Sequence, residues 1–587
     1  MPRAVAHALD AVSGLATLQR LYDAQPARRA DGFIEQAVAA LDVTVAAHGD
    51  LDRVPDTGGV LIVANHPCGA LDGLALAALV RRVRADVKLL GNQVLCRIPE
   101  LQPHVVPVDA FTPGTAHNAA GVRAAVEWLR AGHALVVFPA GEVSHVLSAG
   151  GVAVDGTWRE GAARMAACAD VPVLPMFLDG QNSAWFLHAG RVSPWLRSGL
   201  LARELLRQRG RTVTVRVGRA VSQRRLQAIG DAAAQTSYLR IRSYGLGEHA
   251  PARGALRRHP VKPTRPQSVA PPVPPDVLAA EIAALPACTR LTSQGPWSVC
   301  YVTARQAPRV LQEIGRLREL TFRAAGEGTG RATDLDRFDW HYRHLFVWHQ
   351  EAQQVVGAYR IAATDDVLAR RGIGGFYTRT LFRYKAALLR ELGPALELGR
   401  SFVREEYQRD YQPLLQLWRG IGAVVAAEPR YRMLFGPVSI SAQYGATTRR
   451  LLAKCLLASR SSALRSHVAA RRPLPDDASD GSDALVHSRV AANLHDVDAL
   501  VRDLESDQRG LPVLLRHYLK LNAKLLGFSV DPAFGNVLDG LVVVDLLDVD
   551  RALLGRYLGK DAAATLVAAH RSETVTPHIE AGALGLA

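Results

Sequence analysis

The stretch Val60-Leu61-Ile62-Val63-Ala64-Asn65-His66-Pro67-Cys68-Gly69-Ala70-Leu71-Asp72-Gly73 carries the densest information in the chain. Its first five residues form an unbroken apolar run, which predicts a strand buried on both faces. The run leads to His66, and Asp72 follows six residues later, where an apolar segment of helical character begins. A histidine held against a carboxylate is the smallest device that takes a proton from a hydroxyl. The carboxylate fixes the imidazole tautomer and stabilises the imidazolium that forms. Further on, a second apolar run at 134–137 leads into Phe138-Pro139-Ala140-Gly141-Glu142-Val143-Ser144.

At 587 residues the chain exceeds what one core serves, so two or more domains are expected. No uninterrupted apolar run reaches the length of a membrane-spanning helix. The N-terminal Met1-Pro2-Arg3-Ala4-Val5-Ala6-His7 lacks an apolar signal region and cleavage site, which predicts a protein that is not secreted. The six cysteines are scattered, with no C-x-x-C pair and no Cys/His cluster at metal-ligand spacing. Reduced thiols are expected, and neither a metal nor a cofactor is implied. The net charge of +15 favours an anionic partner: a membrane surface, an acidic carrier protein or nucleic acid. No zinc finger, RNP-like aromatic motif or basic coiled coil accompanies the charge, so no nucleic-acid partner is expected.

Residues 247–276 are rich in proline among basic and small residues, and read as a linker. They divide a first domain at 1–246 from a second at 277–587. A further proline- and aspartate-rich stretch at about 466–486 reads as an exposed insertion in the second domain. In the first, strand-like runs at 60–64, 87–90, 134–138, 171–177 and 212–217 alternate with helical stretches. In the second, helices near 307–325 and 410–427 flank strand-like runs at 344–348, 355–363 and 395–403, with a last one at 541–546. Both domains are therefore expected to be α/β. Around 195–209, Trp195 and several leucines share one helical face and Arg197, Arg203 and Arg207 the other. This is the pattern of an interfacial helix or of a surface helix packed on the sheet.

Over roughly residues 40–220 the motifs resemble the glycerolipid (lysophospholipid) acyltransferase family. The resemblance implies that His66 is the general base and Asp72 its orienting partner, that Gly141 and Glu142 bind the acceptor, and that Arg97 in an intermediate block does too. Two departures mark this chain. The family spacing His-x4-Asp is His-x5-Asp here, and Phe-Pro-Glu-Gly reads Phe-Pro-Ala-Gly-Glu. Both resemble a bacterial subgroup often labelled hemolysin-like, which includes ornithine-lipid acyltransferases.

The second domain carries Arg318-Glu319-Leu320-Thr321-Phe322, then Thr333-Asp334-Leu335-Asp336-Arg337-Phe338-Asp339, Tyr359-Arg360, and Glu397-Leu398-Gly399-Arg400-Ser401-Phe402-Val403. This series resembles the branch of the GNAT fold that includes acyl-homoserine lactone synthases and ornithine N-acyltransferases. The resemblance spans about 290–550. It maps Arg318, Phe322, Asp336, Asp339, Arg360, Glu397 and Arg400 onto the polar set of that branch. Glu397 is the candidate base. Arg360 and Arg400 either form an ion-pair scaffold or bind the substrate carboxylate. Asp336 and Asp339 either order the preceding loop or meet a side-chain ammonium. His517 is expected on a helix surface. No pyrophosphate-cradling glycine loop is evident, which favours acyl carrier protein over coenzyme A as donor.

Together the halves imply a bifunctional acyltransferase that makes ornithine lipid. The second domain would place a 3-hydroxyacyl chain on the amine of ornithine, and the first would esterify the hydroxyl of that chain. A peripheral location on the inner face of the bacterial cytoplasmic membrane follows. The alternatives are phospholipid remodelling fused to N-acylation of glycine or glutamine, and a hemolysin-like membrane-active protein.

Overall fold

The computed structural model describes residues 14–25, 31–49, 51–109, 116–146, 153–183, 185–187, 194–248, 266–474, 482–488, 491 and 493–571. The N-terminal heptapeptide and most of the proline-rich stretch lie outside these residues. The chain forms two compact α/β units, Met1–Ala255 with Asp476–Arg509, and Leu256–Pro475 with Gly510–Ala587.

The first unit is built on a seven-stranded sheet. Its strands are β1 (Thr44–His48), β2 (Val60–Ala64), β3 (Val87–Asn92), β4 (Val105–Val108), β5 (Ala134–Val137), β6 (Val173–Asp179) and β7 (Thr212–Val217). Their order is β1-β7-β6-β2-β5-β3-β4. β2 sits at the centre, parallel to β5 on one side and β6 on the other. All five of its residues are buried, which is why its sequence does not alternate. Helix α1 (Ala70–Val80) follows β2 and is buried over nearly its whole length. Gly69, at φ +80°, makes the turn between them. A left-handed φ of this kind is cheap only for glycine. The ends of β2 and β5 therefore lie side by side, and the two motifs that follow them meet there.

Helix α2 (Pro194–Arg207) covers the segment read as interfacial or sheet-packed. Its side chains through Gly199 lie outside the described residues. Beyond them, Leu200 packs with Val143, Phe186 and Leu187 and Glu204 is buried, while Arg203 and Arg207 are exposed, so this part of the helix packs on the unit through one face. The returning segment 476–509 belongs to this unit. Its helix Leu494–Leu504 buries Val497, Leu500 and Val501. Asp503 accepts hydrogen bonds from Arg225 Nε (2.9 Å) and Tyr238 Oη (2.9 Å). Within the stretch read as an exposed insertion, Val468–Ala470 pairs with Phe382–Tyr384, and Leu485 and Val486 are buried. Their apolar side chains outweigh the surrounding prolines and aspartates.

The second unit has an eight-stranded sheet: β8 (Arg290–Gln294), β9 (Trp297–Thr303), β10 (Arg343–His349), β11 (Gln354–Ala363), β12 (Ala395–Val403), β13 (Met433–Ile440), β14 (Lys524–Asp531) and β15 (Val537–Asp545), in the order β8-β9-β10-β11-β12-β13-β15-β14. Only the β12–β13 pair is parallel. It is short, running from Ala395 opposite Met433 to Glu397 opposite Phe435. Beyond that point β12 stays with β11 and β13 with β15, so the sheet opens between β12 and β13. Helices α3 (Pro308–Ala324) and α4 (Gln412–Ala427) pack on this sheet. His517, on helix α5 (Val513–Lys520), is half-buried with its ring 4.9 Å from that of Trp418, not on an open helix surface.

Gly436 stands at the parting of β12 and β13. A Cβ there would come within 2.0 Å of the Leu398 carbonyl oxygen, which is backbone and cannot step aside. Gly436→Ala is therefore expected to cost the chain about 2–3 kcal/mol, the scale of an overpacked core, measured by urea denaturation.

Candidate active sites

In the first unit the backbone around His66 is fixed before its side chain is considered. Asn65 donates to the Leu178 carbonyl (3.0 Å) and accepts from the Leu178 amide (2.7 Å), tying the end of β2 to β6. The His66 amide donates to Asp155 Oδ1 (3.1 Å), and the His66 carbonyl accepts from the Ser144 amide (2.8 Å). The imidazole stacks on Phe138 at 4.1 Å between ring centres.

His66 Nδ1 lies 2.9 Å from Asp72 Oδ2. The turn at Gly69 places Asp72 in the first turn of α1. There the same oxygen accepts from the Cys68 amide (2.8 Å) and the Gly69 amide (2.9 Å). The longer x5 spacing thus still brings the carboxylate onto the ring. Asp72 is 1 % exposed, and burial pushes its carboxyl above the usual range while His66 and the two amides pull the other way. The His66 side chain is 19 % exposed. Nδ1 faces Asp72, which leaves Nε2 as the ring nitrogen open to a proton. Burial also pushes the neighbouring Cys68 thiol up, so it is no rival nucleophile.

The second motif adjoins this pair. Gly141 has φ +69° and sits against the Arg159 guanidinium. Glu142 Oε1 lies so close to Gly156 that a Cβ at 156 would meet it at 2.5 Å. Arg97 is exposed at the end of a short 3-10 helix, and no hydrogen bond or ion pair joins it to the His66–Asp72 pair. Asp155 went unread in the sequence. It is fully buried and accepts from the His66 amide, Ser144 Oγ (2.5 Å) and Trp158 Nε1 (2.8 Å), so one carboxylate ties both motifs together. An aspartate before Gly156 reads only as a turn, and nothing in its spacing marks this role.

The second unit gathers most of its predicted polar set into one buried lattice. Arg318 Nε donates to Asp334 Oδ2 (3.0 Å) and its Nη1 to Asp339 Oδ1 (2.8 Å). Arg360 Nη1 donates to Asp336 Oδ1 (2.7 Å) and lies 3.2 Å from Asp339 Oδ1. Arg400 stands 3.7 Å from both Asp334 Oδ2 and Asp336 Oδ2. Three guanidinium groups face three carboxylates. Burial alone would raise Asp334 and Asp339, but the arginines beside them prevail and hold both below the usual range. Arg318 and Arg360 are each 1 % exposed, so their partners are these aspartates. Asp334 completes the lattice and was missing from the candidates read in sequence. Phe322 is partly buried against the apolar cluster that α3 helps to form.

Glu397 is the residue expected as the base. It is 1 % exposed, and both oxygens are engaged, one by the Tyr342 hydroxyl and the other by the Thr378 amide (2.7 Å). Tyr342 in turn accepts from the Tyr377 amide (2.8 Å). Glu397 therefore holds the Tyr377–Thr378 turn in place. Arg400 sits in a bulge, since it and Ser401 together oppose Tyr359, and its φ is +50°. Bulges re-aim side chains. This one sets the guanidinium over Phe534 (3.8 Å) and Tyr377 (4.9 Å).

A family model described as Acyltransferase matches residues 14–252, and one described as Acetyltransferase (GNAT) domain matches residues 317–419. The chain is a two-domain acyltransferase. Among curated proteins it is similar to a glycine N(alpha)-acyltransferase of Bacteroides thetaiotaomicron, 29 % identical over 303 residues, 48 % of this chain and 87 % of that one. A glycine N(alpha)-acyltransferase of Phocaeicola vulgatus is 35 % identical over 184 residues, 30 % of this chain and 56 % of that one. A lyso-glycine lipid O-acyltransferase of the same organism is 26 % identical over 200 residues, 32 % of this chain and 68 % of that one. The acyltransferase thus has both N-acyl and lyso-lipid O-acyl relatives. The crystal structure of a 1-acyl-sn-glycerophosphate acyltransferase from Thermotoga maritima aligns at a TM-score of 0.26 with 18 % identity, covering 41 % of this chain and 90 % of that one. No helix among the described residues is long and apolar enough to cross a membrane.

Asp72→Asn keeps the shape of the His66 contact but removes the charge that supports an imidazolium. It is expected to lower kcat for the acyl transfer of the first unit by about 10³–10⁴-fold, the scale seen when a histidine loses its carboxylate. Steady-state kinetics on the purified variant checks this.

Proposed function

We propose that the chain makes an amino-acid lipid in two acyl transfers. The GNAT domain joins a 3-hydroxyacyl chain from acyl carrier protein to the α-amine of ornithine, and the His66 domain then esterifies the hydroxyl of that chain. The observation that carries this reading is the pairing of relatives. Proteins named for N-acylation of an amino acid and for O-acylation of a lyso-aminolipid both match this one chain. The product of the first reaction bears the hydroxyl that the second requires.

In the O-transfer, His66 Nε2 takes the hydroxyl proton as the oxygen attacks the thioester carbonyl. Asp72 stabilises the imidazolium, and the proton passes to the departing thiolate. Gly141, Glu142 and Arg97 are the residues proposed to hold the acceptor. In the N-transfer, the α-ammonium must lose a proton before nitrogen attacks, and a second proton ends on the departing thiolate. Glu327 suits the first task. Burial, with Asp539 nearby, pushes its carboxyl up to about 7, and it makes no side-chain hydrogen bond with a described residue. What favours it over Glu397 is access, because both oxygens of Glu397 are taken.

The net charge of +15 suits an acidic carrier protein and an anionic inner-membrane surface, on which the chain would sit peripherally. Carrying both activities in one chain raises the effective concentration of the intermediate. A second reading of the head group, glycine, is favoured by the names of the relatives.

Lipid mass spectrometry of a host that makes no aminolipid, expressing this chain, tests the proposal. The wild type is expected to yield a phosphorus-free lipid with one amide and one ester chain, and His66→Ala only its mono-acylated form. Loss of the mono-acylated form in His66→Ala would contradict this division of labour. In a separate assay, N-acylation is expected to fall as pH drops through about 7, because Glu327 accepts a proton only when ionised. Glu327→Gln is expected to lose that limb of the profile and about 10²–10⁴-fold in rate.

A further inference from the structure

We infer that Asp531 and Asp539 form a subsite for a side-chain ammonium, so that the GNAT domain selects a diamino acid over glycine. This rests on the amino-acid N-acylation proposed above and assigns the residues that read its head group.

The strand register puts these carboxylates together. Asp539 on β15 is the register partner of Ser439 on β13 and of Ser529 on β14. Ser439 Oγ donates to Asp539 Oδ1 at 2.7 Å. Asp531 lies two residues beyond Ser529, on the same face of β14, and is a diagonal neighbour of Asp539. Asp531 Oδ1 then caps the turn that follows by accepting from the Ala533 amide (2.9 Å). That turn carries Phe534, the ring beneath the Arg400 guanidinium. It also carries Gly535, where a Cβ would stand 2.4 Å from the Gly326 carbonyl oxygen, beside Glu327. Ser441 Oγ fixes the same loop by donating to the Ala325 carbonyl (2.8 Å). The two aspartates, Arg400 and Glu327 thus converge where the sheet opens between β12 and β13.

Charge then decides what this place accepts. Arg318, Arg360 and Arg400 are matched one for one by Asp334, Asp336 and Asp339. Asp531 and Asp539 are buried beyond that balance, and neither makes an ion pair with a described residue. The fields of Arg400 and, for Asp531, Arg472 reach them, yet burial still pushes both up, Asp539 to about 7. Buried carboxylates without a cation are costly, and an ammonium between them removes the cost.

Two groups other than the aspartates point to a ligand. Tyr377 is 8 % exposed, its hydroxyl makes no hydrogen bond with a described residue, and its ring lies 4.9 Å from the Arg400 guanidinium. The Arg400 side chain is also 8 % exposed, and its guanidinium makes no hydrogen bond with a described residue. A hydroxyl and a forked cation beside two carboxylates complement a zwitterion with a second ammonium. The α-carboxylate goes to Arg400 and Tyr377, and the side-chain ammonium to Asp531 and Asp539. Glycine brings the carboxylate but leaves both aspartates unpaired. A site built to bond a polar group rejects the analogue that lacks it.

The test uses the full-length chain, a 3-hydroxyacyl-carrier donor, and ornithine, norvaline and glycine as acceptors. Norvaline is ornithine without the side-chain amine. The wild type is expected to prefer ornithine over norvaline by about 10²-fold or more in kcat/KM. Asp539→Asn and Asp531→Asn are each expected to cut that ratio at least tenfold, chiefly through the KM for ornithine. Equal use of norvaline and ornithine by the wild type would overturn the subsite without recourse to any variant. So would a ratio unchanged in folded variants, or a uniform fall in kcat for all three acceptors. A wild type that acylates glycine and leaves ornithine untouched would overturn the ornithine reading as well. One that acylates no amino acid would overturn the N-acylation on which both rest.

Discussion

Buried charge has to be answered by buried charge, and the second unit is organised around that requirement. Arg318 and Arg360 sit in a nearly dry interior, where a lone guanidinium would cost several kcal/mol. Asp334, Asp336 and Asp339 supply the answer from one loop, and in doing so fix its path. Arg400 is drawn into the same lattice only loosely, at 3.7 Å, because its bulge turns it toward the opening of the sheet. The scaffold pairs two of the three arginines closely and holds the third only at 3.7 Å.

The first unit applies the same rule on a smaller scale. Asp155 is buried and satisfied by groups from both motifs, so the backbone at His66 cannot shift without stranding a carboxylate. Asp72 is buried, and one of its oxygens accepts from two amides of the turn and lies 2.9 Å from the imidazole. A histidine held on both sides in this way has one nitrogen free for chemistry. Pre-organisation of this kind is what lets a weak base act on a hydroxyl.

What could be read in the sequence and what could not divides along physical lines. Val60–Ala64, a continuous apolar run, was legible to the residue because burial on both faces leaves a signal within the run itself, and Thr212–Val217 and Ala395–Val403 were read with the same bounds from more mixed sequences. His66 and Asp72 were legible because they are near in sequence as well as in space. Asp155, Asp334 and Asp539 were not singled out, since their roles come from pairing across the fold that no local spacing records. Glu397 was expected as the base from its motif alone. Only the three-dimensional arrangement reveals that Tyr342 and Thr378 occupy both its oxygens. Segment 476–509 was read as part of the second domain because its neighbours in sequence are there, while its apolar face and Asp503 belong to the first unit.

The central claim is that the two units act in sequence, the hydroxyl installed by one being the acceptor of the other. It is tested most directly by giving the purified chain a mono-acylated amino acid and a radiolabelled acyl-carrier donor, with the acceptor supplied both with and without its 3-hydroxyl. The account predicts label in a base-labile ester on the hydroxylated acceptor and none on its deoxy counterpart. Equal labelling of the two acceptors, or none of either by a folded chain, would contradict it.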